Sequence, residues 1–164
     1  MNWTLNGIPM HPLFVHGAVM LVPITAFAMI LVAVWPAAQR KLGISVPILS
    51  IVAAISVAFT IQAGEALEER VKETALVQAH TEAADGIVPW IVLLVVAACV
   101  QWLVFRFVKN RKDADKVPAF GATARKVIAV VVGLLVVAGA VGATWEIYLV
   151  GDAGAKSVWD GNVN

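Results

Sequence analysis

The sequence predicts an all-α integral membrane protein, a four-helix transmembrane bundle with an extra helical segment on the outer side. Three observations predict it. Apolar residues make up 60% of the 164-residue chain and charged residues 14%, against about 45–50% and about 25% in a soluble domain. Four separate runs are long and apolar enough to span a bilayer, which takes about 20 residues each. The basic residues gather in alternate connections between those runs. So much apolar surface cannot be hidden inside one small domain, and lipid is its natural solvent.

The spans lie at about residues 13–35, 44–63, 87–108 and 127–150. Each must be helical, because lipid offers no partner to backbone N–H and C=O groups. The runs are rich in Val and Ile, which favour strands in water. A membrane strand, however, needs only about 9–11 residues and alternates in polarity, and these runs do neither. In the fourth span, small residues recur four apart: Ala138 with Gly142, and Gly139 with Ala143. Ala54 and Ala58 repeat the spacing in the second. Such pairs let helices approach closely in lipid, within the chain or between chains. No internal repeat is evident.

Between the second and third spans, residues 65–84 read as an outer helix, with Gly64 as a break before it and Glu68 and Glu69 spaced to pair with Lys72. Asp85-Gly86 reads as a turn, and Pro89 as a first-turn proline of the third span. Residues 109–126 read as a basic cytoplasmic loop. The chain opens without the basic segment of a signal peptide, so the first run is expected to be retained as a span.

Sidedness follows from charge. Arg40, Lys41, Arg106, Lys109, Arg111, Lys112, Lys116, Arg125 and Lys126 flank or fill two connections, whereas Arg70, Lys72 and Lys156 alone lie on the other side. The positive-inside rule then places both termini outside. Asp113 and Asp115 are the acids on the basic side; the other nine of eleven lie at or beyond the outer boundary. Trp35, Trp90, Trp145 and Tyr148 fall where interfacial aromatics are expected. A net charge of +1 gives no general attraction for nucleic acid. The basic connections suit anionic lipid headgroups.

All three histidines, His11, His16 and His80, fall on the outer side, and Glu146 lies near the outer end of the fourth span. Imidazole and carboxylate at one level of a bundle suit a transition metal such as Zn, Cu or Fe, and two imidazoles suit a haem iron. The alternative is that these groups satisfy backbone atoms or meet water and headgroups. Cys99 is single and sits in an apolar run, where it reads as a small buried hydrophobe. No CxxCH, HExxH, P-loop or GxSxG motif is present, so no catalytic constellation is expected. Broken half-helices of the kind that build transporter sites are also missing.

The opening stretch Asn6-Gly7-Ile8-Pro9-Met10-His11-Pro12-Leu13-Phe14-Val15-His16 resembles the start of a bacterial domain-of-unknown-function family. Its members are small four-span membrane proteins, some fused to Rieske-type iron–sulfur domains. Ala63-Gly64 resembles the family's second-span Ala-Gly, and His80 its histidine before the third span. The stretch Gly151 to Val163 resembles its tail, with Asp160 where the family usually has His. The resemblance covers nearly the whole chain. It implies a four-span fold near respiratory electron transfer and names no reaction. It leaves two expectations open: a non-enzymatic accessory subunit packed against a larger membrane complex, or a redox or metal protein with a site built from His11, His16 and His80.

Overall fold

In the computed structural model, which describes residues 3–109 and 121–160, the chain is all-helical apart from a small hairpin. Helix α1 spans His11–Val34, α2 Pro36–Leu42, α3 Ser45–Glu68, α4 Ala75–Leu103 and α5 Ala122–Trp159. A π-helical stretch, Val104–Lys109, prolongs α4. Four helices are long and apolar enough to cross a membrane, and they pack as a bundle. Large apolar side chains such as Met20, Phe27, Leu134 and Val141 point outward. The core holds smaller or better-packed residues, among them Val22, Met29, Ala53, Leu94, Ala97 and Ala143. Buried hydroxyls are satisfied within their own helices: Thr25 donates to the Leu21 carbonyl and Ser50 to that of Pro47.

Two strands, Thr4–Leu5 and Ile8–Pro9, pair antiparallel ahead of α1. Asn6 and Gly7 both have positive φ, 52° and 81°, the requirement of the tight hairpin turn that Asn-Gly favours. Trp3 thereby reaches Phe14 and Phe59, with ring centroids 6.0 and 6.2 Å away, and Phe14 stacks on Phe59 at 5.7 Å. The hairpin is thus fastened across α1 and α3.

The chain between α3 and α4 differs from the expected separate helix. Helix α3 runs through Gly64 to Glu68, the backbone breaks over residues 69–74, and α4 starts at Ala75. Thr74 caps it, its side chain accepting from Val77 N–H at 3.2 Å. Residues 65–84 therefore belong to the ends of two long helices and the break between them. Lys72 falls in the break, where helical pairing with Glu68 or Glu69 does not apply. Asp85-Gly86 and Pro89 lie inside α4. The basic loop also shortens, since Arg125 and Lys126 belong to the first turns of α5. Arg111, Lys112, Asp113, Asp115 and Lys116 lie outside the described residues.

The bundle is built from two matched hairpins. Helices α1 and α3 pack on each other, as do α4 and α5, and the hairpins join through α1 with α5 and α3 with α4. One constant shift in numbering carries the buried Ala18, Val22, Thr25, Met29 and Val32 of α1 onto the buried Ile87, Ile91, Leu94, Ala98 and Gln101 of α4. A second constant shift carries Val46, Ser50, Ala53 and Val57 of α3 onto Val136, Ala140, Ala143 and Ile147 of α5. The repeat is carried chiefly by the register of burial, with few residue identities to mark it.

The small-residue pairs resolve in the same frame. Gly139 and Ala143 are buried, and a Cβ on Gly139 would come within 3.2 Å of the Leu94 backbone. Gly142 carries the indole of Trp90 against it. These residues pack α5 on α4 within the chain. Trp90 is therefore an internal packing residue as well as an aromatic near a span end. Ala138 and Ala58 are exposed, and Ala53 takes the buried place beside Ala54.

Candidate functional site

His11 is the first residue of α1. Its ring crosses to α3, where Nδ1 lies 2.9 Å from the Thr60 carbonyl oxygen. A carbonyl only accepts, so Nδ1 carries the proton and donates. The ring also lies on Gly64, where a Cβ would come within 3.0 Å of Nδ1 and Cε1. Gly64 is needed for this approach, which explains a glycine in mid-helix despite its cost of about 1 kcal/mol against Ala.

His80, in α4, repeats the arrangement. Its Nδ1 donates to the Val150 carbonyl at 3.1 Å, and the ring lies on Gly154, where a Cβ would meet Cε1 at 3.0 Å. The shifts that superimpose the cores carry His11 onto His80 and Thr60 and Gly64 onto Val150 and Gly154. They also carry Gly17 onto Gly86 and Ser56 onto Glu146. A Cβ on Gly17 would come within 3.0 Å of Ser56 Oγ, and one on Gly86 within 2.6 Å of Glu146 Oε1. Gly86 is thus a contact residue inside α4 and not part of a turn.

The two half-buried imidazoles meet, with ring centroids 6.2 Å apart and an interplanar angle of 73°. Both hairpins therefore begin at the same end of the bundle, and the halves are related by rotation about its long axis. At the other end the diagonal pair α1 and α4 meet again, where Gln101 Nε2 donates to the Met29 carbonyl at 3.0 Å.

The structure sorts the four expected site residues. His11 and His80 come together. His16 is exposed and bonds within its own helix, Nδ1 donating to the Pro12 carbonyl at 2.6 Å. Glu146 is half-buried against Gly86. Among the described residues, no group of three or more His, Cys, Asp or Glu is placed to hold a metal ion. The arrangement chemically on offer is a pair of imidazoles, each with Nδ1 engaged and Nε2 left as the ring nitrogen able to accept a proton or a metal.

The glycines that seat the rings are the part the residue types alone do not announce. Their signal is spacing: His11 precedes Gly17 as His80 precedes Gly86, and Ala63-Gly64 returns as Ala153-Gly154. Asp160 ends α5 as its C-cap, its N–H bonded to the Lys156 carbonyl. The rest of the tail, Gly161 to Val163, lies outside the described residues.

Fold and site together define an all-α bundle of four helices able to span a membrane, built as two matched hairpins joined at a histidine pair. No family model, no curated protein and no solved structure matches the chain.

Proposed function

We propose that this chain is a multi-pass protein of the bacterial plasma membrane, with both termini and the histidine pair on the outer face. Its function is that of a non-enzymatic accessory subunit packed against a larger membrane complex. The apolar outward faces of all four long helices support the lipid setting, and the nine basic residues of the two opposite connections support the sidedness.

One observation carries the accessory role. Each histidine at the outer end is held to a backbone carbonyl of the neighbouring helix and seated on a glycine. The pair acts as a clasp between hairpins and gives the outer face a fixed shape to dock. The resemblance to the bacterial four-span family supports a setting near respiratory electron transfer. Purification of the tagged chain in mild detergent tests the role. Recovery with a stoichiometric membrane partner is expected, and recovery as a lone monomer contradicts it.

A second reading is favoured by the ring geometry itself. A metal-ligating histidine usually donates its other ring N–H to a carbonyl or carboxylate, which fixes the tautomer, and both Nδ1 groups do so here. Two imidazoles that bind one ion through Nε2 at about 2 Å place their centroids about 5 Å apart at a tetrahedral angle and about 6.5 Å apart when trans, and these stand 6.2 Å apart, nearer the trans spacing. In this reading the pair holds a transition metal ion or a haem iron, without His16. Metal analysis and an absorption spectrum of the purified protein test it. One ion or one Soret-absorbing haem per chain, lost in both His11→Ala and His80→Ala, is expected. A colourless, metal-free protein sinks it.

A further inference from the structure

The end of the bundle away from the histidines contains a cavity of about 70 Å³ between α1, α4 and α5. Its walls include Ala33, Phe105, Val132 and Gly133, and two side-chain amides, Gln39 and Gln101, also line it. Both glutamines are more than nine-tenths buried.

Gln101 explains what the cavity lacks. Its Nε2 donates to the Met29 carbonyl, which can only accept. That bond fixes the amide orientation and leaves Oε1 as the acceptor to be met from elsewhere. Oε1 has no hydrogen-bond partner among the described residues and is buried beyond the reach of a water, so a donor from the cavity meets it only once the side chains around it give way. Such an orphan is costly unless a donor comes to it.

The local backbone is also unusual. The π-helical turn begins just after Gln101, at Val104–Lys109, and brings Val104 and Phe105 to the cavity wall. Single π turns inside helices are rare and often mark functional sites. Opposite them, a Cβ on Gly133 would meet nothing within 4 Å, so the wall on α5 stands back.

We propose that this cavity binds the hydroxyl end of a membrane-dissolved, straight-chain alcohol or similarly slim hydroxylated lipid. The hydroxyl donates to Gln101 Oε1 and accepts from the Gln39 amide. Three features select that class. The orphan needs a donor. The described lining carries no charged side chain, which suits a neutral ligand. The volume is about half that of a cavity that admits benzene, which suits a hydroxyl and a few methylenes better than a ring. The rest of the chain leaves between the helices into lipid.

The test uses the full-length protein in an amine-oxide detergent, which has no hydroxyl group. Its thermal unfolding is followed with 1-octanol and with the isomeric heptyl methyl ether, which can accept but not donate. At tenfold excess over half-saturation, octanol is expected to raise Tm by about 3–5 °C, saturably, and the ether is not. Gln101→Leu removes the orphan and its ligand together, so it should fold and lose the octanol response. Gly133→Leu should lose the response by filling the cavity, and Gly133→Ala should fold normally and keep it. Equal responses to alcohol and ether, a response that survives Gln101→Leu, or no saturable response to octanol would each overturn the proposal. The last of these is the result expected if water alone fills the cavity.

Discussion

The imidazole of His11 lies 6.2 Å from that of His80, centroid to centroid, where the N-terminal parts of α1 and α4 converge. Each ring is fixed from behind by a carbonyl and from below by a glycine. The contact therefore joins two hairpins as well as two side chains.

The glycine seats make the first prediction. Gly64→Leu and Gly154→Leu each drive a side chain into a ring already at contact distance, and each should lower stability by about 1–3 kcal/mol. Because the seats are equivalent, the two losses should be similar. Gly133→Ala enters open space and should be neutral or stabilising by up to about 1 kcal/mol. Thermal unfolding in mild detergent, followed by circular dichroism, checks all three.

The histidines should be energetically coupled. His11→Ala or His80→Ala alone removes one hydrogen bond of about 1 kcal/mol and the ring contact. The double variant removes the ring contact only once. A double-mutant cycle should give a coupling of about 0.5 kcal/mol or more. Strict additivity would mean that the rings are neighbours without interaction.

Trp90 and Gly142 form the tightest of the glycine contacts. Gly142→Val should cost about 3 kcal/mol through overpacking. Trp90→Leu in the same chain should recover part of that loss, because the smaller side chain leaves room for the valine. Comparing unfolding of the single and double variants checks the pairing. No recovery would place the cost of Gly142→Val somewhere other than this contact.

Gly86 and Glu146 behave in the same way. Gly86→Val collides with the Glu146 carboxylate, 2.6 Å from the added Cβ. Glu146→Ala should rescue it, and the same unfolding measurement reads the rescue. A Gly86→Val defect unchanged by Glu146→Ala would mean that the glycine serves the α4 backbone alone.

The four long apolar helices were legible from the residues because length plus apolarity is a crude requirement that composition reports directly. The ends of the helices were not. Gly64 and Gly86 look like breaks, yet both lie in helices, and the missing Cβ leaves room for a ring or a carboxylate from a neighbouring helix. The pairing of His11 with His80 could be expected only as a shared level, since nothing local says which way a side chain turns. His16 sits at that end too and bonds to its own helix. The Gln101 orphan was beyond reach, because it depends on Met29 in another helix.

The proposed topology crosses the membrane four times and presents the histidine end outward. Single cysteines in a Cys99→Ala background test it with a membrane-impermeant maleimide on whole cells. Cysteines replacing Leu5, Glu73 and Asp160 should label in intact cells, and those replacing Arg40 and Arg125 only after permeabilisation. Labelling of Leu5 and Asp160 from opposite sides, or of Arg40 in intact cells, would contradict the account.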